Sequence, residues 1–419
     1  MKKSPWQWVP TLYFMEGLPF TIIMMLSTVM YKNFGISNAK ITFYTGFLYL
    51  PWMIKPAWSW FIDAYKTKRM WIYSTELAVA ALFVCVAGSL LLHNFFFYSL
   101  LLFGICAFIS ASHDISADGF YLMTLNIKEQ SFFVGMQSLF YQCAKIFASG
   151  LLVYISGYLI IVSHGNMRAT WGITILLAAI VAVSIGIYHK IKLPRYEVAL
   201  DKSCAQGLRE VKSIFTQFFK LKGVWITILF VMTFRIGENQ IIKIAPLFIL
   251  DSRAHGGLGF DNTYLGFANM FIMGAMVAAG VLGGITISRF GLKKCIWYML
   301  VFVNLPHVIY IYLAYTQPSS QVFVLVLQII ENFVTTFSLT AYTMMAFMLV
   351  RDSQHKTAHY AFISAFMMAG IMLPSMFSGI IEQAIGYKHF FIFVLLTMIP
   401  CILVVPFIKI PSTLASESD

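Results

Sequence analysis

The chain has 419 residues, 59% of them hydrophobic and only 11% charged, with a mean hydropathy of +0.79. A soluble domain is nearer half apolar and a quarter charged, so this composition excludes a chain folded in water and implies one folded in lipid. A net charge of +12 would suit nucleic acid, but the placement of the basic residues along the chain points to membrane topology instead.

In chain order, the sequence predicts twelve spanning helices, near 6–33, 38–64, 70–92, 95–125, 130–160, 169–189, 223–250, 263–288, 295–315, 321–350, 357–383 and 389–408. Each is about 20 residues or longer, enough to cross a bilayer. The first run follows "MKK" but is too long for a signal peptide. It contains Glu16 and Pro19 and lacks a small-residue cleavage site, so it reads as a spanning helix. The six cysteines show neither paired nor metal-type spacing and read mostly as small apolar residues. No cofactor or metal is expected.

The longest polar stretch, 189–223, divides six runs from six. The expected organisation is an N-terminal six-helix bundle over 1–190, a cytoplasmic linker over 191–222 and a C-terminal six-helix bundle over 223–419. In the linker, Leu208, Val211, Ile214, Phe215, Phe218 and Phe219 recur at helical spacing between polar residues. That pattern predicts an amphipathic helix on the membrane face.

With both termini in the cytoplasm, 20 of the 29 Lys and Arg fall in cytoplasmic segments. The opposite segments hold five: Lys32, Lys40, Arg168, Arg253 and Lys388. This is the positive-inside asymmetry, and it orients the chain. Lys55, Lys145, Arg235 and Lys243 remain inside predicted helices.

Nine charges lie within the spans by this reading: Glu16, Lys55, Asp114, Asp118, Lys145, Arg235, Glu238, Lys243 and Glu331. A charge at the bilayer centre costs about 2.5–3.5 kcal/mol even on the lenient insertion scale, so these groups must pair, face the interior or line water. Asp114 and Asp118 are four apart and share a helix face. Asp114 is about 12 residues from the next cytoplasmic loop, roughly 18 Å, hence near mid-membrane. Carboxylates held out of water beside a like charge are suited to carrying protons. Asp114, Asp118 and Glu238 are therefore the expected proton-coupling groups.

Trp52 stands one turn before Lys55, and Tyr141 one turn before Lys145. An aromatic beside a cation suits a sugar ring bearing an acid group. The expected substrate contacts are Lys55, Lys145, Arg235, Lys243, Trp52, Tyr141, Glu16 and Glu331. Other roles stay open on the residues alone. Asp118 suits an inner-gate network equally well, Arg235 and Glu238 can satisfy each other, Lys243 can snorkel outward, and Glu16 can cap backbone freed near Pro19. His113 lies about 100° around the helix from Asp114 and reads as a core histidine.

The connections "DAYKTKR" (63–69) and "GGITISRFGLKK" (283–294) occupy equivalent places in the two halves. Both resemble the basic loop motif of the major facilitator superfamily, which implies gating roles for Asp63, Arg69 and Arg289. "SASHDISADG" (110–119) resembles the fourth-helix signature of AmpG-type muropeptide permeases and their acetyl-CoA transporter relatives. "EGLPF" (16–20), "IKPAWSWFIDAY" (54–65), "FRIGE" (234–238) and "ENF" (331–333) extend that likeness along most of the chain.

The resemblance implies an all-α membrane protein of twelve helices in two pseudo-symmetric halves, working by alternating access in a bacterial inner membrane. It implies a non-enzymatic, proton-coupled importer of anhydro-muropeptides. Tyr121, Met123 and Ile371 stand where that pattern carries lysine, acidic and arginine residues. The expected cargo therefore widens to an acidic saccharide, including uronate-containing or sulfated disaccharides. The expected partners are that solute, a proton and the bilayer, for a monomer that binds no nucleic acid. Acetyl-CoA-like or peptide transport is the alternative within the fold, and an enzyme acting on lipid-linked sugars is the alternative outside it.

Overall fold

Prolines and small residues decide where the apolar runs stay helical. The computed structural model describes residues 4–195, 213, 215–221, 223–348 and 356–407. Helix α1 (Val9–Thr21) passes through a π-helical segment, Ile22–Leu26, into α2 (Ser27–Asn33). The second run breaks into α3 (Asn38–Phe47), α4 (Leu50–Ile54) and α5 (Pro56–Ala64). Pro51 and Pro56 open α4 and α5, where a missing N–H matters least.

Helix α6 (Lys68–Ser89) is capped by Thr67, whose side chain accepts from the Met70 amide. Helix α7 (Phe95–Thr124) follows. A capping box of Asn126 and Glu129 opens α8 (Ile127–Lys145). The π-helical segment Ile146–Leu151 joins α8 to α9 (Leu152–Val162), and α10 (Met167–Lys192) follows.

Beyond the linker come α11 (Val224–Thr233) and α12 (Ile236–Leu250), separated at Phe234 and Arg235. Then come α13 (Asn262–Phe290), α14 (Leu292–Asn304), α15 (Val308–Thr316), α16 (Gln321–Met348), α17 (Lys356–Leu396) and α18 (Ile399–Val404).

Among the described residues, nine helices are long and apolar enough to cross a membrane. The difference from the twelve expected lies in three places. The runs at 38–64 and 223–250 are interrupted, and the last two are two helices that meet at Gly386, whose φ of 74° is non-helical, and together make one of the nine. The protein is an all-helical membrane protein.

The chain forms two compact units. Unit 1 is Met1–Ile36, Leu48–Val211 and Asn262–Met270; unit 2 is Ser37–Phe47, Lys212–Asp261 and Phe271–Asp419. They depart from a simple division at mid-chain because small residues draw in α3 and the start of α13. In unit 2, α3 packs on α17, where a Cβ on Gly379 would stand 2.4 Å from the Asn38 carbonyl oxygen. In unit 1, the first turns of α13 pack on α9 and the π segment before it. A Cβ on Gly157 would stand 2.4 Å from Thr263 Oγ1. Such close backbone approach is the usual way helices associate in lipid, where no hydrophobic force brings them together.

Helix α7 shows how the faces divide. Phe97, Leu101, Ile105 and Phe108 are exposed, while Phe103, Ala107, Ala111 and Asp114 are buried. The apolar face is the outward one, as lipid requires. Most of the linker helix, with Leu208, Val211 and Ile214, lies outside the described residues. Phe218 is fully buried and packs its ring on Phe362 and Phe366 of unit 2.

Candidate functional site

The intramembrane charges of unit 1 gather where its helices lose regularity. Glu16 stands just before Pro19 and the first π segment, Lys55 stands between α4 and α5, and Lys145 ends α8 at the second π segment. Irregular turns of this kind commonly mark functional positions, because they turn backbone and side chains out of the helical ladder. The Lys55 ammonium acts electrostatically on Glu16, Asp114 and Asp118 together. Three carboxylates of unit 1 thus lie within electrostatic reach of one lysine.

The carboxylates are held differently. Asp114 is buried, and its Oδ2 accepts a hydrogen bond from Trp52 Nε1 at 3.0 Å. Its Oδ1 has no hydrogen-bond partner among the described residues, nor has Glu16 Oε2. Asp118 is exposed and accepts from the Tyr13 hydroxyl at 3.2 Å. That hydroxyl in turn accepts from Gln137 Nε2 at 2.6 Å. Phe20 sets its ring edge-on to Trp52 at 5.1 Å and tilted to Tyr141 at 6.3 Å. Trp52, Phe20 and Tyr141 therefore form one aromatic wall beside the acids.

In unit 2, Arg235 and Glu238 meet as a bidentate pair, with Nε to Oε2 at 2.6 Å and Nη2 to Oε1 at 2.9 Å. Arg235 also lies 5.7 Å over the Tyr342 ring. Its geometry is that of the mutual pair that the three-residue spacing allows. Lys243 is 1% exposed and donates to Thr45 Oγ1 at 3.0 Å. It is held inside unit 2 rather than reaching outward, which removes the snorkelling role. Glu331 Oε1 accepts from His307 Nδ1 at 3.0 Å and from the Thr335 hydroxyl at 3.4 Å.

Glu16 makes no capping hydrogen bond among the described residues, and its backbone is helical through Thr21. Of the gating candidates, Arg69 Nη2 donates to the Lys190 carbonyl at 2.5 Å, closing the end of α10. Arg289 is exposed, and the Asp63 side chain lies outside the described residues. Tyr121 donates to the Gln130 carbonyl at 2.6 Å, a structural bond at the start of α8.

Sequence reasoning missed Glu76 and Glu382. Both lie in predicted spans and are buried, so the search for charges in apolar runs that found the other nine should have included them. Glu76 Oε1 receives His189 Nδ1 at 2.7 Å and His113 Nε2 at 3.1 Å. Glu382 Oε2 accepts from Asn38 Nδ2 at 2.8 Å. No simple sequence signal marks these pairings, since their members lie 37 to 344 positions apart.

The family model described as Major Facilitator Superfamily matches residues 11–350. The chain belongs to the major facilitator superfamily. Within it, the protein named as a candidate AmpG 4 transporter of Rickettsia conorii is 21% identical over 406 residues, covering 94% of each chain. Two solved structures share the superfamily fold. A bacterial homologue of the human lysosomal transporter Spinster, in an inward-facing, unoccupied conformation, has a TM-score of 0.72 at 13% identity, covering 95% of this chain and 94% of its own. A D-xylose–proton symporter has a TM-score of 0.71 at 13% identity, covering 96% of this chain and 97% of its own. The protein is thus a multi-pass membrane transporter and not an enzyme.

Proposed function

We propose that this transporter imports an acidic saccharide together with protons across a bacterial inner membrane, by alternating access of an N-terminal bundle (1–190) and a C-terminal bundle (223–419). Both termini and the 191–222 linker are cytoplasmic in this reading, and the protein acts as a monomer. The observation that carries it is the grouping of Glu16, Asp114 and Asp118 around Lys55, beside the Trp52–Phe20–Tyr141 wall.

The coupling follows from charge balance. With all three carboxylates ionised, Lys55 is held by its own acids and has little to offer an anion. Protons on Asp114 and Asp118 release that hold, and the ammonium becomes the partner of the solute's carboxylate or sulfate. At about 4 Å and an effective dielectric of 20, one such pair is worth about 4 kcal/mol before desolvation, enough to decide occupancy. Lys145 lends a second cation, and the aromatic wall supplies a face for a sugar ring. Proton and anion then bind together, and neither binds well alone. The resemblance of residues 110–119 to the signature of AmpG-type muropeptide permeases supports a sugar-bearing cargo.

The test is uptake into proteoliposomes under an imposed pH gradient. The panel comprises anhydro-muropeptides, unsaturated uronate disaccharides with and without sulfate, neutral disaccharides, acetyl-CoA and short peptides. Uphill uptake of an acidic saccharide, abolished by collapsing the gradient, is the expected result. Preference for neutral sugars would overturn the anion assignment, and uptake indifferent to the pH gradient would overturn proton coupling.

A further inference from the structure

Glu76 is completely buried, yet it takes no part in the grouping around Lys55. One of its oxygens, Oε1, receives two histidines from different helices: His113 on α7 at 3.1 Å and His189 on α10 at 2.7 Å. The chain of bonds continues from His189 Nε2 to Thr11 Oγ1 on α1 at 2.8 Å. Thr11 Oγ1 also lies 3.2 Å from the Trp8 carbonyl oxygen, to which it can donate. Four helices of unit 1 therefore meet in a single polar string.

With the Glu76 carboxylate ionised beside the two histidines, proton counting along the string leaves two arrangements. A hydroxyl has one proton to give. If Thr11 gives it to His189 Nε2, the His189 ring carries only its Nδ1 proton and is neutral. If Thr11 gives it to the Trp8 carbonyl, Nε2 must donate to Thr11, and His189 is an imidazolium facing the Glu76 carboxylate. The Trp8 carbonyl also accepts from the Leu12 amide at 2.9 Å, so it is satisfied in either arrangement. No heavy atom has to move between the two. His113 fits beside both, with its proton on Nε2 and its unpartnered Nδ1 a bare acceptor.

We propose that Glu76, His189 and His113 form a proton-binding site, gated by the Thr11 hydroxyl and distinct from the carboxylates around Lys55. The electrostatic partners of the Glu76 carboxylate are His189 and His113. Besides these three, the four elements carry Tyr13 and Glu16 on α1, Lys68, Arg69, Tyr73 and Cys85 on α6, Tyr98, Cys106, Asp114, Asp118 and Tyr121 on α7, and Arg168, Tyr188, Lys190 and Lys192 on α10. Of these, Arg69 is bound to the Lys190 carbonyl and Tyr13 to Asp118. Asp114 and Asp118 feel His113, which makes that ring an electrostatic link between the two sites. Loading the string with a proton reverses the bond between α10 and α1, so occupancy is felt at the first turn of α1.

The experiment needs no solute and is independent of the proposed cargo. Full-length protein labelled with 15N-histidine, in detergent, is titrated from about pH 8 to about pH 5, the range in which histidine changes charge. The His189 signals are assigned by their loss in His189→Gln. The expected result is that His189 gains its second ring proton within that range. Glu76→Gln should displace the midpoint by about tenfold or more in proton concentration. Thr11→Val, a milder change that keeps the site falsifiable if Glu76→Gln does not fold, should displace it by about two- to tenfold. Asp114→Asn should leave the midpoint within about twofold if the two sites are separate. A ring that does not titrate, or a midpoint unchanged in both Glu76→Gln and Thr11→Val, overturns the proposal. A midpoint displaced as far by Asp114→Asn as by Glu76→Gln overturns the separation of the sites.

Discussion

An alanine at Gly266 tests whether the first turns of α13 are held on α9 by direct backbone contact. A Cβ there would stand 2.2 Å from the Tyr154 amide nitrogen and 2.6 Å from the Gly150 carbonyl oxygen. Ordinary contact begins at 3.4 Å, so α13 must retreat by about 1 Å, and backbone atoms cannot rotate aside as a side chain would. Retreat strains the Asn262 Nδ2–Ser156 Oγ bond of 2.9 Å and the Asn269 Nδ2–Ser149 carbonyl bond of 2.9 Å. Overpacking of this kind costs about 1–3 kcal/mol. If the penalty falls only on states in which α13 rests on α9, it lowers their population by about 5- to 150-fold relative to states in which it does not. The assay is maleimide labelling of Ser149→Cys in a background lacking the six native cysteines. Ser149 is 1% exposed, so its labelling rate follows separation of the two segments. Gly266→Ala should raise that rate by a factor in the stated range. An unchanged rate would refute the argument that this contact holds the segments together.

Asp114→Asn should abolish uphill uptake along a pH gradient while leaving solute exchange measurable; persistent accumulation would remove Asp114 as the essential carrier. Trp52→Phe keeps the ring contact with Phe20 but loses the donor to Asp114. A hydrogen bond to a charged group is worth about 1.5–3 kcal/mol, so proton-driven uptake should fall by about tenfold or more with the melting temperature little changed. Arg235→Gln or Glu238→Gln alone should destabilise the protein by about 1–3 kcal/mol, less than for a fully buried pair because Arg235 is 22% exposed. The double replacement Arg235→Met, Glu238→Leu should recover most of that in a thermal melt. A double variant that is stable but inactive would show that the pair serves transport as well as structure. Glu331→Gln keeps an acceptor for His307 and Thr335 and should shift stability by under about 1 kcal/mol, whereas Glu331→Leu should lose about 1–3 kcal/mol by stranding the buried His307.

The membrane class was legible because apolar length and basic-residue placement are one-dimensional quantities, and the superfamily because the loops at 63–69 and 283–294 resemble its motif. So was the meeting of Arg235 with Glu238, since positions three apart share a helix face. The second run, read as one span over 38–64, breaks where Pro51 and Pro56 open short helices, and Lys55 sits at that break. The π segments after Thr21 and Lys145 carry no proline of their own, and nothing local in those stretches distinguishes them from ordinary helix. Choice of partner was the least legible feature. Trp52 stands one turn from Lys55 in sequence, yet its N–H goes to Asp114 on another helix. Lys243 bonds Thr45, nearly two hundred positions away. Glu76 is a different failure: a carboxylate in an apolar run, visible in the sequence and left uncounted. Burial alone marks such a residue for attention, but only the fold reveals two histidines converging on one oxygen.

The two segments that cross between compact units are built differently where they cross. The chain leaves α3 for unit 1 at Phe47–Leu48, and Leu48 and Tyr49 form the turn that leads into α4. Helix α13 passes from unit 1 to unit 2 at Met270–Phe271 with no interruption. Because α13 is one unbroken rod, its first turns cannot leave the Ser149–Gly150 and Ser156–Gly157 surface piecemeal: lifting them breaks the Asn262–Ser156 and Asn269–Ser149 bonds together.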